Sequence, residues 1–348
     1  MRGKRSMGII LPPSKGKLEP CRDEKGEVIQ GSIAEKTKVS LNGTELGMII
    51  KGEDMTKPVL LVMGGGPGIP EYFLDVVAPS GLEKEFVVCF WDYRGTGLSY
   101  DSDVKPEDMT TDQYLTDAVT VTNYLRERFQ QDKIYILGHS FGTYLSIQLV
   151  AQYPEYYQAY IAMGQMTDDV EREKMDYDYL IQYYESKGND KMLKKLEKYA
   201  YTEKDGIEWV NSWYGSGLRD MAQHDAGVGT MRDMKSVISG IVFPSLRITS
   251  YTPKERIQLW KGKIASNQFA VNKEINYFHA KREVPSIQIS IYFFAGKYDY
   301  TCAYPLQKEY FEQLQAPKKK FYTFENSAHS PLFEEPEKAM QIIRKDIL

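Results

Sequence analysis

Residues 138–142 read Gly138-His139-Ser140-Phe141-Gly142, between an apolar stretch at 133–137 and a helical run that lasts through Gln152. A five-residue glycine pattern is weak alone. Strand, tight turn and helix in that order make it strong, because such a turn crowds the chain and holds its serine on a strained elbow with the hydroxyl exposed. The plainer alternative is a glycine-rich β-α turn whose serine only caps the helix.

The surrounding sequence has the alternation such an elbow needs. Residues 59–63 and 86–91 are short unbroken apolar runs, the pattern of strands buried on both faces of a parallel sheet, and each ends in a glycine-containing loop. Leu115, Ala118, Val119, Thr122, Leu125 and Phe129 follow helical spacing, which predicts a helix over 112–129 with capping side chains at 110–112. Strands follow at 133–137 and 159–163. Upstream, Asn42-Gly43 joins the strand-like runs 37–41 and 44–50 as a hairpin turn would, while 1–36 has no period and reads as an extended arm. From Asp168 to about Glu283 the chain is rich in Tyr, Lys, Glu and Asp, with helix-like segments at 171–186 and 190–201 and no buried strand. Strands resume at 287–294 and 320–324, and helices are expected at 305–315 and 336–348, each led by a proline suited to a first turn. The expected fold is α/β, a mostly parallel doubly wound sheet with a helical cap insertion. Its divisions are an arm (1–36), a core begun at 37–165, a cap (166–284) and a core completed at 285–348.

Composition narrows the partners. Among 348 residues, 44 Lys and Arg face 48 Asp and Glu, and a net charge of −4 gives no positive field for nucleic acid. Cys21, Cys89 and Cys302 are too scattered for a disulfide framework or a paired-cysteine zinc site. No window approaches the roughly 18 apolar residues of a membrane span, and the run 7–11 after the basic start is too short for a signal peptide. A soluble, cytoplasmic chain is expected.

A serine hydroxyl attacks poorly unless a neighbouring base takes its proton, and histidine titrates near neutral pH without special tuning. Of the four histidines, His139 lies inside the elbow, where it should point away from Ser140, and His224 and His279 fall in the expected cap. His329, in Ala328-His329-Ser330-Pro331, follows the strand 320–324 and is the expected base. Asp299, just after the strand 287–294, is the expected carboxylate that orients it; Glu325 and Glu334 compete by type but lie close to His329 in sequence. Bare N–H groups for a developing oxyanion are expected from Gly66 and Phe141, with Gly65 as the alternate. The loop Gly64-Gly65-Gly66-Pro67-Gly68 has no Lys-Ser/Thr after it and no dinucleotide spacing, so it is not a phosphate cradle. In Trp91-Asp92-Tyr93-Arg94-Gly95, Asp92 and Arg94 are expected to brace the loops without a chemical step. No metal or organic cofactor is called for.

As an ordered set these motifs resemble the α/β-hydrolases of the proline iminopeptidase-like group, peptidase family S33. Residues 64–68 are similar to that family's His-Gly-Gly-Pro-Gly loop, 91–99 to its Asp-x-Arg-Gly-x-Gly-x-Ser segment, 138–142 to its elbow, and Asp299 and His329 to its acid and base. Gly64 stands where the family loop carries histidine, and Glu208-Trp209 holds a Trp-Glu pair in reverse order. The resemblance implies a serine hydrolase that opens a small-molecule or short-peptide ester or amide through an acyl-enzyme. An ester or lactone hydrolase without aminopeptidase activity and a non-catalytic ligand binder on the same scaffold are the alternatives. In the cap, Asp168, Asp169, Glu171, Glu203 and Glu208 are candidates for a substrate amino group, and Trp209, Trp213, Tyr214 and Trp260 for an apolar pocket. Asp168, Glu208, Trp209 and Trp213 are the substrate-binding residues taken forward; a solvated helix face and glue between cap and core are the plainer readings.

Overall fold

The computed structural model describes residues 12–204 and 206–348, so the basic start and the run at 7–11 lie outside the described residues. Among the described residues eight strands form one sheet: β1 (Ile33–Leu41), β2 (Thr44–Gly52), β3 (Val59–Met63), β4 (Val87–Trp91), β5 (Ile134–His139), β6 (Tyr157–Met163), β7 (Ser290–Gly296) and β8 (Lys319–Phe324). Their order is β1-β2-β4-β3-β5-β6-β7-β8, with β2 antiparallel to both its neighbours, β1 and β4, and every other pair parallel. β3 and β4 are buried at every position, as unbroken apolar runs in a twice-covered sheet must be. The β1–β2 register closes with Leu41 opposite Thr44, which leaves Asn42-Gly43 as the turn.

Strand β1 starts at Ile33, so residues 33–36 belong to the sheet and not to the arm. Ile33 is buried while its neighbours are half-covered on an edge strand, which blurs the apolar alternation. Strand β7 starts at Ser290, after Pro285 interrupts the apolar run and Ser286 makes only a lone bridge to Gln315.

One face of the sheet packs on α2 (Thr111–Arg128) and α3 (Phe141–Gln152), the other on α1 (Glu71–Val77), and each interface has its own buried apolar cluster. Thr110 caps α2 by accepting the Gln113 N–H. Between β6 and β7 the described residues form helices and no strand. These are α4 (Asp169–Ser186), α5 (Asp190–Leu196), α6 (Ile207–Gly215), α7 (Leu218–Ala226), α8 (Phe243–Arg247), α9 (Pro253–Ser266), α10 (Val271–Glu274) and α11 (Ala280–Glu283). Tyr177, Leu180, Tyr184, Leu196 and Trp213 give this segment a core of its own. After β7 come α12 (Tyr304–Gln313), α13 (Pro331–Glu334) and α14 (Pro336–Ile342). Among the described residues no helix is long and apolar enough to cross a membrane.

The chain leaves β3 for β4 on one side and returns through α2 to β5 on the other. The loops after β3 and β5 therefore lie side by side at the carboxyl ends of the strands, where an open α/β sheet forms its crevice.

Candidate active site

Ser140 follows directly on β5 and is the N-cap of α3, with φ 53° and ψ −121°. A non-glycine residue held there costs about 1–3 kcal/mol, and the surroundings enforce it: the Ser140 N–H donates to the Met163 carbonyl at 3.0 Å and its own carbonyl accepts from Thr143. A side chain at Gly142 would put its Cβ 1.9 Å from the Met63 carbonyl oxygen, so only glycine lets α3 approach β3 this closely.

Asp299 lies three residues beyond β7 and His329 five beyond β8, and the two meet: His329 Nδ1 is 3.0 Å from Asp299 Oδ2, with both residues buried. Asp299 also accepts from Cys302 N–H at 2.9 Å and Gln307 Nε2 at 2.9 Å. Burial alone would raise the Asp299 pKa, but His329 and these donors hold it below the ordinary value. Among the described residues His329 Nε2 is buried and has no hydrogen-bond partner. Burial, seconded by the nearby His139 and Arg172, keeps the imidazole pKa below its ordinary value despite Asp299. Gly164, at the end of β6, has φ 62°, and a Cβ there would sit 2.8 Å from His329 Cε1 and 3.4 Å from Asp299 Oδ2. The pair is thus wedged against the strand next to the elbow.

The glycine loop runs past the serine, for a Cβ on Gly65 would lie 3.4 Å from Ser140 Cβ. The Gly65 N–H is already committed to Glu71 Oε2 at 3.2 Å, which removes the alternate oxyanion donor. Gly66 N–H donates to no group among the described residues, and Phe141 N–H, first in α3, has no intrahelical acceptor. The Pro67 carbonyl accepts from Ser266 Oγ at 2.9 Å and Lys263 Nζ at 3.1 Å, both on α9.

Arg94 pairs with Asp117 on α2 at 2.6 Å and donates to the Asn42 carbonyl, so it ties the segment to α2 and the hairpin. The residue of that segment that grips the glycine loop is Tyr93, whose hydroxyl donates to the Gly64 carbonyl at 2.8 Å. Asp92 accepts the Leu98 N–H, and burial pushes its pKa up to about 7. The ordinary value is near 4, so the folded state binds the extra proton and ionising Asp92 costs stability as pH rises from about 4 to about 7. D92N keeps an acceptor for Leu98 and removes that cost. Thermal melts are expected to show its Tm advantage over the wild type growing across this window and flat above it; a constant difference contradicts the assignment.

In the helical segment, the sequence candidates are occupied with their own neighbours. Asp168 caps α4 through the Glu171 N–H and bonds His279, Glu208 is exposed, Trp209 donates to the Tyr199 carbonyl, and Trp213 is fully buried in the segment's core. Buried charge sits one turn further along α4. Arg172 contacts Asp169, Glu173 and the Thr301 carbonyl, and Arg219 contacts Glu173 and, at 4.0 Å, Asp176. With the half-exposed Asp220, 3.0 Å from Arg219, four carboxylates thus face two guanidinium groups, and among the described residues Asp176 Oδ2 accepts no hydrogen bond. Burial pushes Asp176 up to about 7.

Several contributors escaped the sequence. Gln307 and Gly164 fix the acid and base, Tyr93 the glycine loop, and Glu334 accepts the N–H groups of Ala328 and Ser330 on either side of His329. Tyr93 lies within the 91–95 segment and Glu334 enters only as a rival acid, while for Gly164 the hint is a glycine directly after a buried strand. His139 does turn into the protein, where Glu71 and the His329 carbonyl receive it.

Comparison with known proteins bears on the fold and the family. Residues 58–336 match the family model described as alpha/beta hydrolase fold. A probable aminopeptidase, YbaC, of Bacillus subtilis is 30% identical over 305 residues, covering 88% of this chain and 93% of that protein. A proline iminopeptidase of Heyndrickxia coagulans is 26% identical, covering 82% and 88%. Among solved structures, the proline iminopeptidase of Mycobacterium smegmatis shares the fold at TM-score 0.60 and 14% identity, over 89% of this chain and 96% of that one. By sequence and by fold, the chain belongs to the α/β-hydrolase family, alongside the proline iminopeptidase-like hydrolases.

Proposed function

We propose that this hydrolase is a serine enzyme that cleaves the ester or amide bond of a small molecule or short peptide through an acyl-enzyme. His329 Nε2 takes the Ser140 proton, Ser140 Oγ attacks the carbonyl carbon, and the Gly66 and Phe141 N–H groups hold the oxyanion. The protonated His329 gives its proton to the leaving group. Water, deprotonated by the same imidazole, then releases the acyl group. Asp299 fixes the tautomer that leaves Nε2 free to accept, and it stabilises the imidazolium. The observation that carries this reading is the buried, partnerless Nε2 of an imidazole whose other nitrogen is engaged by Asp299.

The helices of 166–284 act as a cap over this rim and select small substrates. Aminopeptidase action is the favoured version, supported by the names of the relatives and by the surplus carboxylate at Asp169, Glu173 and Asp176, which suits a substrate ammonium better than exposed Glu208. Fluorophosphonate labelling of wild type but not S140A is expected. A panel of amino-acyl anilides, N-acetylated anilides and short-chain p-nitrophenyl esters then reads specificity, with free-amino anilides turned over at least tenfold faster than their acetylated forms. Fast esters with no such preference assign the chain to the esterases, and no labelling of folded protein removes the serine mechanism.

A further inference from the structure

The buried pair Glu71–His139 touches all three loops of the site yet has no part in the chemistry above. Glu71 is in the first turn of α1 and His139 ends β5; both are buried. His139 Nδ1 lies 2.6 Å from Glu71 Oε1, and His139 Nε2 lies 3.1 Å from the main-chain oxygen of His329, with Ser330 Oγ at 3.5 Å. Glu71 Oε2 takes the Gly65 N–H. The pair therefore spans the glycine loop, the elbow and the base loop in one chain of hydrogen bonds.

The protons can be counted. A carbonyl oxygen only accepts, so His139 Nε2 carries hydrogen. A carboxylate that already accepts from Gly65 accepts again at its other oxygen, so Nδ1 carries hydrogen too. His139 is then an imidazolium whose ring centre is 4.9 Å from that of His329. Burial opposes this charge, but Glu71 outweighs it and holds the His139 pKa above the ordinary value.

We propose, building on the Ser140–His329 reading, that Glu71 and His139 are positioning residues: a doubly protonated His139 clamps the base loop to the glycine loop and sets a fixed positive charge beside the His329 ring. That charge disfavours a second imidazolium next to it and keeps His329 in its proton-accepting form. The other charged groups facing His329 are Asp299 from the loop after β7, which favours its protonation, and Arg172 on α4, which opposes it. Glu334 on α13 engages the flanking N–H groups.

E71Q separates charge from position. The amide oxygen still accepts from Gly65, the amide N–H donates to His139 Nδ1, and His139 Nε2–H still reaches the His329 carbonyl, but the imidazolium is gone. The carboxylate lies on the far side of the His139 ring, so the variant removes a dipole whose positive end faces His329. The His329 pKa rises, and the acid limb of kcat/KM moves up by roughly one pH unit for charges at this spacing in a protein interior. A residue that served only to fill space would leave the limb in place. E71A, which breaks the clamp, is expected to lower kcat on the order of a hundredfold. Independently, histidine-15N spectra of the wild type at pH 8, assigned with H139Q, are expected to show protons on both His139 nitrogens. An unmoved acid limb in E71Q, or a single proton on His139 at pH 8, overturns the proposal. Failure of the underlying reading looks different: S140A would then keep turnover, whatever E71Q does.

Discussion

S140A is expected to lower kcat by roughly ten-thousandfold while the protein stays folded, because on the proposed mechanism it removes the oxygen that forms the acyl-enzyme. Residual turnover would come from the glycine loop and α3 N-terminus alone. Position 140 is held at φ 53° by hydrogen bonds from its own backbone, none of which involves the hydroxyl, so the elbow survives the substitution. S140G goes further: glycine accepts positive φ without strain, and its Tm is expected to exceed that of S140A. Kinetics with the preferred chromogenic substrate and thermal melts check both statements. Activity in S140A within tenfold of wild type would mean that another group attacks.

D299N is the second large effect. Asp299 accepts three hydrogen bonds, from Cys302 N–H, Gln307 Nε2 and His329 Nδ1. An amide at 299 can orient its NH2 towards the first donor or towards the other two, and either choice sets a donor against a donor. In the second orientation His329 escapes by moving its proton to Nε2, the tautomer that can no longer accept from Ser140. Gly164 packs against the ring closely enough that a Cβ there would sit 2.8 Å from His329 Cε1. The expected loss in kcat is about a thousandfold to ten-thousandfold with KM little changed. Its stability signature is also definite. The Asp299 pKa is depressed in the folded protein, so its contribution is present above about pH 4 and lost as pH falls below it, and D299N should flatten that acid loss.

The parts of the molecule legible from sequence are those in which local chemistry and final environment agree. β3 and β4 are apolar because both faces are covered, and the glycines of Gly138–Gly142 mark an elbow because a Cβ at Gly142 would strike the Met63 carbonyl and one at Gly138 would crowd the first turn of α3. The order serine, acid, base along the chain matches the order of β5, β7 and β8. Legibility fails where a polar residue is buried by something distant. Helix α1 went unseen because Glu71 and Asp75, which suggest a solvated face, are both buried, and the partner of Glu71 is 68 positions away. Likewise, Glu173 and Arg219 look like surface residues until α4 and α7 are packed together. Trp213 looked suited to a pocket wall, but an indole in a small helical segment is first needed to give that segment a core.

Helix α9 couples two events that are usually treated as separate. Its Ser266 and Lys263 side chains hold the Pro67 carbonyl, one residue past the proposed oxyanion donor Gly66. A movement of α9 wide enough to admit a substrate also lets go of the loop on which the transition state would rest. On the proposed mechanism, such a movement would leave the chemistry waiting until the Ser266 and Lys263 hydrogen bonds re-form.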